Sequence, residues 1–398
     1  MREKRELSNR LLNQQPVMNY LNDEECYYMD RKKDKLNIAI IGCGMIGMEH
    51  IQVAALESSA NVYGLYDIDG RSLTVATHVY KEVFGAEREP VIYQSLEEAA
   101  SDSNIGALII CTPNYTHLEI LKSVLPYKKH ILLEKPMATT VADAREILEI
   151  SKEYEAVIQI GLQYRYKSIY SLSRKEALEY KSIGEIKNIS IMEHRIPFLD
   201  KKKQWNKFSE YSGGTLVEKC CHYFDLFNLF ARSRPLKVFA KGSLEVNYNA
   251  FSYEKKKADI IDNAFVIVEY ENGIRASLNL CMFAPLFYEE MVLCGDKGRL
   301  KVTEKQDSIN ELANTIEIHR GEDAPSLFGE PRYPDHIEEK GGHHGSKFFE
   351  HRNFIRKIMG EKTDAATVEE GYWSIVVGAA ARQSIIENRE IVIDDLLI

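Results

Sequence analysis

Short apolar runs alternate with amphipathic stretches in the first part of the chain, up to Gly161. The apolar runs have the length and composition of strands at residues 37–41, 61–66, 106–111, 130–133 and 157–161. The stretches between them have helical spacing, as at residues 71–83, 116–125 and 141–154. Apolar strands separated by amphipathic helices are typical of a parallel sheet covered on both faces. The pattern predicts a doubly wound α/β domain over residues 37–161.

The pattern changes beyond residue 182, where strands dominate at residues 186–196, 236–246, 264–270, 274–283, 290–293, 299–303 and 315–319. Asn272-Gly273 between two of them is a strong hairpin signal. Helical patterns cover residues 214–231 and 368–386, and residues 325–345 form a loop rich in Pro, Gly and His. We therefore predict a second, α+β domain over residues 162–398 with a large, mainly antiparallel, open sheet. Residues 1–36 precede both domains as an N-terminal arm.

Composition and charge narrow the possible classes of protein. The chain of 398 residues has 51 Lys and Arg against 60 Asp and Glu, a formal net charge of −9, which disfavours binding to nucleic acid or anionic membranes. No apolar stretch approaches the ~20 residues that span a bilayer, and the charged first residues lack the apolar run of a secretory signal. Seven cysteines without a CxxC pair indicate thiols in a reducing compartment. We expect a cytoplasmic protein with no nucleic-acid or membrane partner.

The first predicted strand runs into a GxGxxG loop, with Gly42, Gly44, Met45, Ile46 and Gly47 as its candidate cofactor-binding residues. The first glycine permits a tight turn, the second lets the backbone approach a pyrophosphate, and the third lets helix and strand pack closely. The following helix N-terminus offers free N–H groups to phosphates. Asp67 ends the next strand, where it would accept hydrogen bonds from ribose hydroxyls and repel a 2′-phosphate. The loop therefore predicts NAD, in preference to NADP, as the cofactor.

The predicted helix at residues 214–231 carries three ionisable side chains on one stripe, Glu218, His222 and Asp225, at positions i, i+4 and i+7. Much of the rest of this helix is apolar, which predicts burial. Buried ionisable groups are costly, so such a stripe indicates a site. A network that only supports packing is the alternative. We expect no metal, because no second His-rich helical pair is present to complete a ligand set.

Two further motifs follow predicted strands: Thr112-Pro113-Asn114-Tyr115-Thr116-His117 and Glu134-Lys135-Pro136. In this order behind a dinucleotide fold, they resemble the Gfo/Idh/MocA family of glucose–fructose oxidoreductase, inositol dehydrogenase and relatives, from residue 37 to the C-terminus. The resemblance implies a Rossmann domain followed by a C-terminal α/β domain. It also implies that Thr112, Pro113, Asn114 and His117 line the cofactor, that Glu134 faces the nicotinamide-side ribose, and that Lys135 reaches the substrate beside it.

The family shows an aspartate, a histidine four residues later and another aspartate three residues on, whereas this chain has Glu218 at the first position. That leaves three roles open for Glu218: binding a sugar hydroxyl, orienting His222, or pairing with Lys135. His222 is the candidate general base, and Lys135 would stabilise developing alkoxide charge; which of the two takes the proton is left open. The other candidates are substrate contacts at Arg165, Asp225 and Trp205, and a cofactor contact at Gln163.

The family's substrates imply oxidation of a secondary ring hydroxyl, here of a hexopyranose or glycoside at C3, giving a 3-oxo product. An inositol 2-dehydrogenase is the first alternative. A glycosidase that retains NAD and a non-catalytic nucleotide-binding regulator are the others. Alternating apolar positions in strand 264–270 place Phe265 and Ile267 on one face and Val266 and Val268 on the other. Since helices of the same chain can cover only one face, we expect a homo-oligomer, with a dimer-based tetramer favoured by the family.

Overall fold

Two large sheets and the two-stranded sheet β9-β10 form in the part of the chain that the computed structural model describes, residues 35–57, 59–306, 312–321 and 324–397. The two large sheets belong to two compact units. The first unit contains residues 35–166 and 334–372, and the second contains residues 167–333 and 373–397. The predicted N-terminal arm, apart from its last two residues, lies outside the described part.

Most of the predicted strands and helices lie within a few residues of the bounds in the structure. The strands are β1 Leu36–Ile41, β2 Ala60–Tyr66, β3 Val91–Ile92, β4 Ala107–Ile110, β5 His130–Glu134, β6 Ile158–Gly161, β7 Ile186–His194, β8 Pro235–Ser243, β9 Ser252–Tyr253, β10 Lys256–Lys257, β11 Asn263–Tyr270, β12 Arg275–Cys281, β13 Tyr288–Gly295, β14 Arg299–Gln306, β15 Leu312–His319, β16 Leu327–Gly329 and β17 Ile391–Val392. The α-helices are α1 Met45–Leu56, α2 Gly70–Phe84, α3 Leu96–Ser101, α4 His117–Val124, α5 Val141–Glu153, α6 Ser168–Arg174, α7 Ser209–Ser212, α8 Thr215–Glu218, α9 Cys221–Ala231, α10 Asp335–Lys340, α11 Ser346–Ile358, α12 Val368–Glu387 and α13 Ile393–Leu396.

The first sheet has six parallel strands in the order β3-β2-β1-β4-β5-β6. The predicted doubly wound fold is therefore confirmed. The strand order reverses between β1 and β4, and sheets of this type bind ligands at the carboxyl ends of the strands beside such a reversal. The GxGxxG loop follows β1, and the motif that begins at Thr112 follows β4, so both lie at this edge.

Helix α11 belongs to the first unit although most strands of the second sheet precede it in sequence. Its Phe354 and Ile355 pack in one hydrophobic cluster with Ile38 and Ile40 of β1. The sequence pattern places all residues after 161 in the second domain and predicts no helix at residues 346–358. Burial of these two apolar side chains against the first sheet gives the physical reason why residues 334–372 join the first unit.

The second sheet has nine strands in the order β16-β15-β14-β13-β7-β12-β11-β8-β17. Its pairs are antiparallel apart from β7 and β12, which are parallel. In β11, Val266 and Val268 are buried, whereas Phe265 is 62% and Ile267 is 51% exposed. The predicted mainly antiparallel sheet and the predicted alternation of its faces are confirmed.

The predicted continuous helix over residues 214–231 is wrong. The structure has two helices, α8 and α9, which are separated at Lys219 and Cys220. The N–H of Cys220 bonds to the carbonyl of Thr215, five residues earlier, so the backbone widens at this point. Glu218 therefore ends one helix, and His222 lies in the first turn of the next.

The described residues contain no helix that is both long enough and apolar enough to cross a membrane. The cysteines in the same part of the chain, at positions 43, 111, 220, 221, 281 and 294, form no disulfide. Burial raises the pKa of the Cys43 thiol to about 12, so this side chain of the GxGxxG loop is neutral at physiological pH.

Candidate active site

The GxGxxG loop is shaped by the close approach of the backbone that follows β4. Gly42 has a φ of 96°, and a Cβ on it would lie 2.9 Å from the carbonyl carbon of Cys111. A Cβ on Gly47 would lie 2.1 Å from the carbonyl oxygen of Gly42. Both positions therefore require glycine, as the motif predicts.

Helix α1 presents an uncapped N-terminus at this loop. Its N-cap residue is Gly44, which has no side chain to accept from the first N–H groups, and no acidic residue lies in the first turn. Met45 is exposed and Ile46 is half-buried there. Free N–H groups and the positive end of the helix dipole together suit a phosphate group.

Asp67 lies at the end of β2, beside the same loop. Its Oδ2 accepts a hydrogen bond of 2.7 Å from the N–H of Cys43, and its Oδ1 accepts one of 2.8 Å from the N–H of Asp69. These contacts fix the carboxylate next to the loop and leave further lone pairs on both oxygens. The position fits the predicted contact with ribose hydroxyls.

The loop after β4 is held by His117, which is fully buried. Its two ring nitrogens lie 3.0 Å from the carbonyl oxygen of Thr112 and 2.9 Å from that of Pro136. Burial lowers the pKa of His117, against the opposing effect of the two carbonyl oxygens, which favour the protonated ring. In this structure His117 joins the loops after β4 and β5 through their backbones.

Among the buried polar atoms of this unit that have no hydrogen-bond partner in the described part of the chain, two lie in loops that follow strands of the first sheet. They are Nδ2 of Asn114, in the loop after β4, and Oε1 of Gln163, which follows β6. Such atoms are costly unless something pairs with them. A donor and an acceptor of this kind fit the amide and ribose groups of a dinucleotide, so the residues present fit the predicted cofactor.

Glu134 ends β5, and Lys135 follows it directly. The Glu134 Oε2 accepts a hydrogen bond of 3.1 Å from the N–H of Lys135, while its Oε1 contacts Nε2 of His50 at 3.0 Å and Nζ of Lys347. A Cβ on Gly161 would lie 3.0 Å from the Glu134 carboxyl carbon, so the absence of a side chain there leaves room for the carboxylate. Lys135 is half-buried.

One group of described residues has metal-type ligand atoms close together, His50, Glu134 and Glu350. The ammonium of Lys347 contacts both carboxylates of this group. A cation of the chain itself therefore already balances these ligands, and the group does not fit a metal ion.

In the second unit, His222 and Asp225 lie on α9 and are 2% and 1% exposed. Glu218, at the end of α8, is half-buried. A Cβ on Gly378 of α12 would lie 2.7 Å from the carbonyl oxygen of Leu216, so the lack of a side chain there allows α12 to pack closely on α8. This close packing positions α8, which carries Glu218.

Three buried glutamates that sequence reasoning missed lie side by side beneath these helices. Glu193, Glu289 and Glu304 occupy paired positions on β7, β13 and β14. Lys219, which separates α8 from α9, lies 2.9 Å from Glu193, and Lys167 contacts the other two. Glu193 lies on the same face of β7 as the buried Ile189 and Ile191, because side chains two residues apart on a strand point to the same side. This alternation is the one sequence signal that could have revealed its burial.

The structure also places the two remaining predicted substrate contacts. Arg165 is 5% exposed, and its Nη1 lies 3.2 Å from Glu370 and 3.4 Å from the carbonyl oxygen of Asp364, all within the first unit. Trp205 is half-buried in the helical turn Lys202–Lys207 of the second unit. Arg165 thus takes part in a partly buried ion pair of the first unit.

The two parts of the chain match two models of one protein family. Residues 36–162 match the NAD-binding Rossmann fold of an oxidoreductase family, and residues 175–393 match the C-terminal alpha/beta domain of that family.

Relatives align along nearly the whole chain. It is 25% identical over 367 residues to the myo-inositol 2-dehydrogenase of Thermotoga maritima, covering 91% of this chain and 100% of that protein. It is 23% identical over 359 residues to the inositol 2-dehydrogenase of Rhizobium meliloti, covering 89% of this chain and 98% of that protein. The solved structure of a levoglucosan dehydrogenase with NADH and levoglucosan has a TM-score of 0.74 at 17% identity, covering 90% of this chain and 100% of that one. The last comparison shows the shared fold.

Proposed function

The chain belongs to the Gfo/Idh/MocA family of NAD-binding oxidoreductases, and on that premise we propose that it oxidises a secondary ring hydroxyl of a cyclitol or sugar. The observation that carries the proposal is the convergence of loops at one edge of the first sheet. The glycine loop, the loop after β4 and the Glu134-Lys135 pair all lie at the carboxyl ends of neighbouring strands. An ammonium group directly beside a dinucleotide site suits a reacting hydroxyl.

We propose that Lys135 and His222 have separate roles in the reaction. Lys135 donates a hydrogen bond to the hydroxyl oxygen and stabilises the negative charge that develops there. His222 accepts the hydroxyl proton, since a histidine can take up and release protons near neutral pH. NAD, when bound, would accept the hydride that leaves the carbon bearing this hydroxyl. Asp225, Trp205 and Glu218 are proposed to bind or orient the substrate and His222.

A cyclitol is the substrate class that the relatives favour. Both inositol 2-dehydrogenases align with more than four fifths of this chain and of their own length. The prediction of oxidation at C3 of a hexopyranose or glycoside remains the second candidate. Both reactions remove hydride from a ring carbon that bears a secondary hydroxyl, so the same groups of the protein serve either substrate.

We also propose a homo-oligomer that forms through the outer face of the second sheet. Phe239, Phe265 and Ile267 lie on adjacent strands of that face, and each is more than a third exposed. Contiguous apolar side chains of this kind mark an interface.

A panel of inositols, free hexoses and glucosides with NAD tests the proposed function, with NADH absorbance and mass spectrometry of the products as readouts. We expect NADH and an oxo product in equal amounts from at least one polyhydroxylated ring. Lys135→Met should lose most of the turnover and keep NADH binding. Lys128→Met is the matched control, because that lysine is exposed in the same unit.

Two outcomes of the panel would contradict the proposal. Net hydrolysis of a glucoside without release of NADH would identify a glycosidase that retains its cofactor. Binding of NADH with no turnover of any ring would indicate a nucleotide-binding regulator.

A further inference from the structure

A buried cluster of charged and polar side chains lies behind Glu134 in the first unit. Its members, here called the Glu134 cluster, are His50 of α1, Glu134 of β5, and Lys347, Glu350 and His351 of α11. All five are at least nine-tenths buried. The proposed reaction uses Glu134 alone among them, so the other four require a separate explanation.

The two carboxylate oxygens of Glu134 have different partners. Oε1 faces the cluster, where it contacts Nε2 of His50 at 3.0 Å and the ammonium of Lys347. Oε2 lies on the side of Lys135, whose N–H donates to it at 3.1 Å. Oε1 is thus held by the cluster, and Oε2 keeps a lone pair that is available for the expected contact with the nicotinamide-side ribose.

The two histidines support this orientation through one consistent set of hydrogen bonds. If Nε2 of His50 donates to Glu134, Nδ1 of His50 must accept from Nε2 of His351, which lies 2.7 Å away. Nδ1 of His351 is then unprotonated, in agreement with its lack of a partner among the described residues. Burial lowers the pKa of both rings, so both are neutral.

The ammonium of Lys347 then balances the negative charge of the cluster. Burial raises the pKa of Glu350 to about 8, so this carboxyl is protonated at pH 7. The ammonium of Lys347 lowers the pKa of Glu134 against the opposing effect of burial. At neutral pH the cluster therefore contains one carboxylate and one ammonium in direct contact.

Outside the cluster, the charged or titratable groups that face Glu134 or Lys347 are Glu49, Cys111, His117 and Lys135. Burial raises the pKa of the Cys111 thiol, which keeps it neutral, and burial lowers the pKa of the His117 ring. Glu49 pairs with His343 at 2.7 Å. Lys347 is the cation that contacts the Glu134 side chain.

We propose that Lys347 is a positioning residue, which keeps the Glu134 carboxylate ionised and oriented so that it can accept hydrogen bonds from the nicotinamide-side ribose. The inference rests on the proposed cofactor contact of Glu134. It links α11, late in the sequence, to the affinity of the first unit for its cofactor. Through this link the C-terminal part of the chain determines whether the cofactor site has its charged acceptor.

The test is titration of the full chain with NADH, followed by fluorescence, at pH 6 and at pH 8.5. The wild-type affinity should not fall between these values as the pH is lowered, because Glu134 stays ionised at both. Lys347→Met leaves Glu134 buried without its cation, so its carboxyl should take up a proton at neutral pH. We expect the Lys347→Met variant to bind NADH about tenfold more weakly than the wild type at pH 6, because a hydrogen bond to a charged acceptor is stronger than one to a neutral acceptor by about this factor in affinity. At pH 8.5 we expect the affinity of the variant to recover in part.

Two controls separate charge from packing. Lys347→Arg keeps the charge and should restore the wild-type pH profile, whereas Lys357→Met removes a half-buried lysine of the same helix and should leave affinity unchanged. Should Lys347→Met not fold, Lys347→Gln, which keeps a hydrogen-bond donor toward Glu134, should show the same pH-dependent loss.

Three results would overturn the inference: unchanged affinity in Lys347→Met, an equal loss at both pH values together with a lower melting temperature, or a wild-type affinity that itself falls on acidification. Because the titration requires no substrate, failure of the proposed substrate class leaves this test unaffected.

Discussion

Replacing Lys167 with methionine should destabilise the second unit by an amount that grows with pH. The Lys167 Nζ lies 2.5 Å from Glu289 and 2.6 Å from Glu304, and its side chain is 4% exposed. Register places these two carboxylates directly opposite each other on β13 and β14. The ammonium is therefore shared by two buried acids that are neighbours across the ladder.

The size of the effect follows from the two buried carboxylates, of Glu289 and Glu304, that Lys167→Met leaves without their ammonium partner. Removing one partner of a buried ion pair typically costs about 3–5 kcal/mol, which for a unit of this size corresponds to a melting temperature lower by roughly 6–20 °C. Burial already raises the pKa of Glu289. A raised folded-state pKa contributes stability at low pH that is lost as the pH rises through it. Lys167→Met removes the nearby positive charge and so raises the pKa of Glu289 further. The loss of unfolding free energy in the variant should therefore be larger at pH 8 than at pH 5.

Urea unfolding followed by tryptophan fluorescence measures this directly, because both tryptophans of the chain, Trp205 and Trp373, belong to the second unit. Lys301→Met is the matched control, since Lys301 makes a partly exposed ion pair with Glu290 on the same two strands. Such a pair is worth about 0–1 kcal/mol. A deficit for Lys167→Met as small as that of the control, or one that does not change with pH, would refute the reasoning.

Three other expectations follow from the site and the second sheet. Asp67→Ala should narrow the preference for NAD over NADP, because it removes the carboxylate that would repel a 2′-phosphate; equal rates with both cofactors in the wild type would contradict this. His222→Ala should lower turnover by about 10²–10⁴-fold if His222 is the base, and a loss below tenfold would instead assign the proton to Lys135. Light scattering at micromolar concentration should return a multiple of 45.6 kDa, and Phe265→Asp should reduce it; a monomer mass for the wild type would rule out the proposed interface.

The parts of the fold that the sequence predicted are those specified by local patterns. Continuous apolar runs such as the one that forms β4 are buried on both faces of the parallel sheet. The alternation in β11 gave the orientation of Phe265 and Val266 correctly. The need for glycine at positions 42 and 47 was predicted from the GxGxxG motif, although the atoms that crowd Gly42 belong to Cys111, in the loop after β4.

What the sequence could not predict depends on contacts between distant segments. Lys347 lies 213 positions from Glu134, and no local pattern connects them. Glu193 and Glu289 meet only because of the strand register. The break at Cys220 is a backbone widening inside a segment whose side-chain pattern is helical throughout, so periodicity alone could not locate it.

The most direct test of the proposed reaction is to follow the hydrogen that leaves the ring. The enzyme would be given NAD and a substrate from the panel with deuterium at the carbon that bears the reacting hydroxyl, and the NADH formed would be examined by NMR. Direct hydride transfer predicts one deuterium on the reduced nicotinamide for each oxo product. NADH without deuterium, or loss of the ring substrate with no NADH formed, would contradict the account.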